Sequence, residues 1–108
     1  MDTIIENHLA VVHQLCRQFG VQRLDVFGSA AGDTFDPRRS DIDFVVDFGP
    51  GQQPDLFNRY FGLNEALAAL FGRKVDLVMA GGMVNPYFID SVNLTRKPVY
   101  ARPLAEAA

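Results

Sequence analysis

The sequence predicts an α/β (α+β) domain in which a small mixed β-sheet is covered by helices. Two stretches, residues 3–19 and 55–71, carry apolar side chains at helical spacing. Three short runs, residues 23–28, 41–48 and 74–79, read as strands. The elements interleave in the order α-β-β-α-β-α-β, as expected when helices pack on a sheet. With 108 residues, the whole span 1–108 is expected to form one domain, because two would leave neither an adequate core.

The first helix places Ile5, Leu9, Val12, Cys16 and Phe19 on one stripe, and Gly20 stops it. In residues 23–28, Leu24 and Val26 share a face. Residues 29–40 form a polar turn region with Gly32, Asp33, Asp36 and Pro37. The run at 41–48 is the clearest strand, with Ile42, Phe44, Val46 and Phe48 on one face. After Gly49, Pro50, Gly51 and Pro54, the second helix aligns Leu56, Tyr60, Leu63, Leu67 and Leu70, with Phe57, Phe61 and Phe71 widening the stripe. Gly62 weakens the middle of that helix. The third strand is followed by a break at Gly81 and Gly82. Asn85 and Pro86 then have the signature of an N-cap and first helical residue, opening a helix to about residue 94. Residues 97–102 suit an edge strand that tolerates Pro98, and the tail from Ala105 to Ala108 is expected to fray.

Composition narrows the function. Hydrophobic residues are 48% and charged residues 21%, enough apolar material to offset the entropy of ordering. A net charge of −3 argues against a domain that blankets a nucleic-acid backbone. A single cysteine excludes an internal disulfide and a cysteine-rich zinc site. No apolar run approaches membrane-spanning length and no signal-peptide pattern opens the chain, so a reducing, cytoplasmic setting is expected.

The chemistry centres on Asp41 and Asp43. Two positions apart in a strand, their carboxylates share a face, with Cα atoms about 6.5 Å apart. Carboxylates so placed can converge on a hard cation, and without one they repel. Upstream, Gly28 lets a ligand approach the backbone closely, and Ser29 offers a hydroxyl and an amide. A helix starting at Ser29 would present free N–H groups suited to phosphate. Asp76 is a lone acid in an apolar strand and needs a partner if buried. Elsewhere, His8 and His13 do not share a helix face and read as structural or surface residues, and Cys16 falls on the core stripe. Asp25 and Asp47 are expected at the surface, and Arg73 and Lys74 in a turn.

Gly28-Ser29, eleven intervening residues, Asp41-x-Asp43, and Asp76 on a later strand together resemble the nucleotidyltransferases of the DNA polymerase beta superfamily. The likeness is nearest to the minimal nucleotidyltransferases (MNT, or MntA-type, proteins). It is carried by FGSAAGDTFDPRRSDIDFVVDF and GRKVDLVMAGGMVNPYFIDSV and spans roughly residues 4–101. The resemblance implies the nucleotidyltransferase fold and Mg²⁺-dependent transfer of a nucleotidyl group, usually AMP from ATP. Gly28 and Ser29 would hold the triphosphate. Asp41, Asp43 and Asp76 would be the catalytic and metal-binding acids, Asp76 also orienting or deprotonating the acceptor hydroxyl.

One feature departs from that family. Many members carry an arginine shortly after the Gly-Ser pair, where this chain has Ala30-Ala31-Gly32-Asp33. Arg38 or Arg39 could replace its charge, or could be solvated loop residues. So small a chain leaves little to build an acceptor pocket, and the acceptor side is expected to come from another protein. In the family this is a HEPN-domain protein encoded nearby, a ribonuclease toxin that the transferase, as antitoxin, modifies on a tyrosine. Tyr87, Phe88 and Tyr100 are candidates for a partner-binding surface, though core packing is the commoner fate of such residues. Two other readings stay open: a binding module that neutralises its partner by occlusion, and a transferase acting on a small molecule.

Overall fold

A computed structural model describes residues 1–32, 34–36, 41–51 and 53–103. Its helices are α1 (Thr3–Glu6), α2 (Leu9–Gln18), α3 (Leu56–Phe71) and α4 (Pro86–Thr95). Its strands are β1 (Arg23–Phe27), β2 (Ile42–Asp47), β3 (Val75–Met79) and β4 (Lys97–Ala101), with short 3-10 turns at Gly28–Ala31 and Ala80–Gly82. No helix among the described residues is long and apolar enough to cross a membrane.

The sheet is mixed, in the order β3-β2-β1-β4. β1 runs antiparallel to β2, pairing Arg23 with Asp47 and Phe27 with Asp43. β2 and β3 are parallel, pairing Ile42 with Val75 and Asp43 with Asp76. A parallel pair needs a crossover, which α3 supplies. β4 lies antiparallel on β1 as the predicted edge strand, where Pro98 is tolerated.

Alternation along the strands divides the sheet into two faces. Leu24, Val26, Ile42, Phe44, Val46, Val75 and Leu77 pack against Ile5, Val12, Cys16, Leu63, Leu67 and Phe71 from α1, α2 and α3. Each such large side chain contributes about 1.5–3 kcal/mol when fully buried. The opposite face holds a thinner apolar cluster of Phe27, Val45 and Val92, the last from α4. This face also carries the acids.

The structure revises several local expectations. The predicted helix 3–19 is broken at Asn7 and His8, where the His8 Nδ1–H donates to the Ile4 carbonyl at 2.7 Å and takes up a helical acceptor. His13 Nε2 lies 2.6 Å from the Val99 carbonyl, so both histidines are structural. Gly62 does not interrupt α3. A Cβ there would come within 2.6 Å of the Phe19 ring, so its absence lets α2 and α3 approach closely. Phe57 and Phe61 do not widen the buried stripe; they are exposed and pack on each other. Cys16 is buried in the core, and burial pushes its thiol up to about 12, which makes it inert. Tyr100 is buried, whereas Tyr87 and Phe88 are exposed. Asn85 caps α4 as predicted, accepting from Tyr87 N at 2.9 Å and Phe88 N at 3.4 Å.

Candidate active site

The β1–β2–β3 register determines which acids meet. Asp43 stands between Phe27 of β1 and Asp76 of β3, on the face opposite Ile42 and Phe44. Asp41 lies just before β2 rather than within it, since the ladder begins at Ile42. It still reaches the cluster: Lys74 Nζ lies 3.9 Å from Asp41 Oδ2 and 3.7 Å from Asp76 Oδ1. One ammonium thus touches both flanking carboxylates. Lys74 belongs to the site and does not merely decorate a turn. Arg73 instead places its guanidinium 5.0 Å from the Phe35 ring centroid.

The electrostatics of Asp43 follow from this crowding. Its carboxyl is pushed up from 3.8 to about 6, first by burial, then by the Asp76 charge, by hydrogen bonding to Asp76 and by the Asp41 charge; Lys74 pulls the other way. Among the described residues, three carboxylates face one ammonium here.

Gly28 brings the end of β1 against the same acids. Its φ is +71°, and a Cβ there would come within 2.8 Å of Asp43 Oδ2. Any side chain would therefore be strained and would strike the central carboxylate. Gly28 opens the 3-10 turn Gly28–Ala31, with half-buried Ser29 next. The phosphate cradle expected of this turn is partly engaged already, because Gly28 N–H donates to Thr95 Oγ1 of α4 at 2.9 Å. That hydroxyl keeps its own proton for another acceptor. Arg38 and Arg39, like Asp33, Pro37 and Ser40, lie outside the described residues.

A cavity of about 520 Å³ opens beside the acids, lined by Asp43, Lys74 and Asp76 with Phe27, Phe88, Tyr60 and Asn64 among its walls. The Tyr60 hydroxyl donates to the Leu77 carbonyl and so tethers α3 to the β3 edge.

The remaining acids lie elsewhere. Asp47 is exposed, as expected. Asp25 is not at the surface; it is fully buried. Arg23 donates to both its oxygens at 3.0 Å, and Arg96 Nε donates to Oδ2 at 2.8 Å. Burial is tolerable because two guanidiniums satisfy the carboxylate. The Arg96 bond also anchors the end of α4, next to the Thr95 that meets Gly28.

Among the described residues, no three acids close into a ready-made metal cage. The donor set nonetheless suits a hard divalent cation. It is made of carboxylate oxygens, it is partly open to solvent, and among the described residues its three acids outnumber its one ammonium.

Known proteins share the sequence pattern and the fold of this chain. A relative from Methanocaldococcus jannaschii, provisionally named a protein adenylyltransferase, is 34% identical over 82% of this chain and 84% of its own. The protein adenylyltransferase MntA of Thermococcus cleftensis is 39% identical over 65% of this chain and 67% of its own. The solved structure of a provisionally assigned minimal nucleotidyltransferase superposes with a TM-score of 0.71 at 30% identity, covering 91% of this chain and 96% of that one. More distantly, the structure of a tri-AMPylated Shewanella oneidensis HEPN toxin in complex with MNT antitoxin shares the fold, with a TM-score of 0.63 at 18% identity over 95% of this chain and 77% of that one. Residues 10–99 match the nucleotidyltransferase domain family, a span that contains β1 to β3 and every acid described above, and the chain belongs to that family.

Proposed function

We propose that this nucleotidyltransferase transfers AMP from ATP to a hydroxyl of a partner protein, with Mg²⁺, and serves as the antitoxin of a HEPN/MNT pair in the cytoplasm. The observation that carries the reading is the meeting of Asp41, Asp43 and Asp76 beside Gly28, at one end of one sheet face. The relatives named as protein adenylyltransferases and the HEPN–MNT complex support the choice of AMP and of partner.

In this reading Gly28 and Ser29 would hold the triphosphate, and Asp41, Asp43 and Asp76 would hold Mg²⁺. When bound, Mg²⁺ neutralises triphosphate charge and makes the acceptor hydroxyl easier to deprotonate. Asp76 lines the cavity together with Asp43, and in this reading it orients the acceptor hydroxyl or takes its proton. The acceptor oxygen bonds to the α-phosphorus as the bond to the bridging β-oxygen breaks, and pyrophosphate leaves. Phe27 and Phe88, packed edge to face, form an apolar part of the cavity wall.

Incubation with MgATP and the product of the adjacent gene tests this. Mass spectrometry should find AMP on a partner hydroxyl. An unmodified partner together with no ATP binding would reject the proposal. A second reading, neutralisation by occlusion, is favoured by the exposed apolar residues Val84, Tyr87 and Leu94 on and before α4. Replacing Asp41 and Asp43 together by Asn separates the two, because occlusion predicts that neutralisation survives.

A further inference from the structure

We propose that Lys74 is a built-in counter-cation of the carboxylate shelf, pairing with Asp41 and Asp76 until a divalent cation takes its place. The inference rests on the functional reading above and extends it to a residue outside the expected catalytic set.

Three observations carry it. The ammonium sits between two of the three acids, 3.9 Å from Asp41 Oδ2 and 3.7 Å from Asp76 Oδ1. Both contacts are longer than the roughly 2.7–2.9 Å of a tight charge-assisted hydrogen bond. The lysine is therefore held by charge more than by directional bonds. Its side chain is 71% exposed, so it can swing into water with little packing to lose. Its backbone, by contrast, is tied into the sheet, since the Lys74 carbonyl accepts from Ile42 N at 3.3 Å. The head group can leave while its anchor stays.

The Asp25 site shows what a permanent counter-ion looks like in this protein. There, guanidiniums bind a fully buried carboxylate at 2.8–3.0 Å. A flexible lysine pairing loosely with half-exposed acids has the opposite design. Among the described residues, one ammonium is shared by three carboxylates, and a divalent ion would add the charge that it does not balance.

The test uses Mn²⁺ alone as the probe on the full chain, with free Mn²⁺ read by electron paramagnetic resonance and stability read by thermal melts. Lys74→Met should bind Mn²⁺ about three- to tenfold more tightly than wild type at low salt, because two weak ion pairs no longer compete. The advantage should shrink as added salt screens the charges. Without Mn²⁺, Lys74→Met should melt below wild type, and Mn²⁺ should close that gap. Lys74→Arg should resemble wild type. So should Lys97→Met, which removes the other lysine, on the far edge strand.

If wild type binds Mn²⁺ and Lys74→Met binds it equally or less tightly, the counter-cation role is overturned and the catalytic reading stands. Wild type and Lys74→Met melting alike without Mn²⁺ also overturns it. If wild type takes up no Mn²⁺ with or without ATP, the metal-dependent reading fails and this inference falls with it.

Discussion

Asp25 and Asp43 occupy the same sheet face on neighbouring strands, yet their surroundings are opposite. Asp25 is fully buried and receives three hydrogen bonds from two arginines. Asp43 is half-buried and faces two further carboxylates with one loosely held lysine nearby. The first is an ion cluster with its charge satisfied, and it fastens α4 to the sheet. The second concentrates negative charge, which costs stability and which the proposed cation would offset. Burial alone would rank Asp25 as the more unusual acid. The partners decide which of the two is available for chemistry.

The largest effect on stability should come from breaking the satisfied cluster. Asp25→Asn leaves two arginines without their carboxylate and should cost about 3 kcal/mol, the lower end for a broken buried pair, because Arg23 is half-exposed. Denaturant titration checks this, and an unchanged midpoint would erase the contrast drawn here. Gly62→Ala comes next. The new methyl meets the Phe19 ring and should destabilise by about 1–3 kcal/mol, with Phe19→Leu relieving part of the loss.

The pH dependence of the metal-free protein sharpens the comparison from the other side. Folding raises the Asp43 carboxyl from 3.8 to about 6, so the folded state favours its protonated form. The stability this group contributes is complete below the unfolded value of about 3.9 and is lost as pH rises through about 6. Melts of wild type minus Asp43→Asn should show that difference across this window, with Asp43→Asn the more stable above it. The smallest effect is expected at Thr95. Thr95→Val removes the acceptor of Gly28 N–H, so the turn that would hold the triphosphate loses its tie to α4, and KM for ATP should rise several-fold, about 1 kcal/mol, with kcat little changed. Thr95→Ser should restore it, whereas a purely structural role would move kcat and melting temperature together.

How much of this was legible beforehand depended on the range of the interaction. Asp41 and Asp43 are two residues apart, and the period of a strand predicts them on one side, although β2 itself begins only at Ile42. Asn85 and Pro86 announce the start of α4 by local cap chemistry. Gly28 and Asp76 stand out by residue type, a glycine ending one strand and a lone acid within another, and their spacing to the paired acids resembles a known pattern. What stayed hidden depended on strand order. Thr95 meets Gly28 across 67 residues, and Arg96 meets Asp25 across 71. Neither contact follows from periodicity. Lys74 looked like a turn residue because only the parallel β2–β3 register brings it against Asp41. The break at His8 was hidden for a local reason: its ring bonds back to Ile4, an option that the apolar stripe does not reveal.

The central claim is that the unsatisfied acids, and not the satisfied one, form the transfer centre. Transfer of label from α-labelled ATP to the partner protein tests it most directly, run side by side on Asp43→Asn and Asp25→Asn at a temperature where both are folded. The account predicts at least a thousandfold loss for Asp43→Asn (roughly 4 kcal/mol of barrier) and near-normal labelling per folded molecule for Asp25→Asn. Near-normal labelling by Asp43→Asn would contradict it.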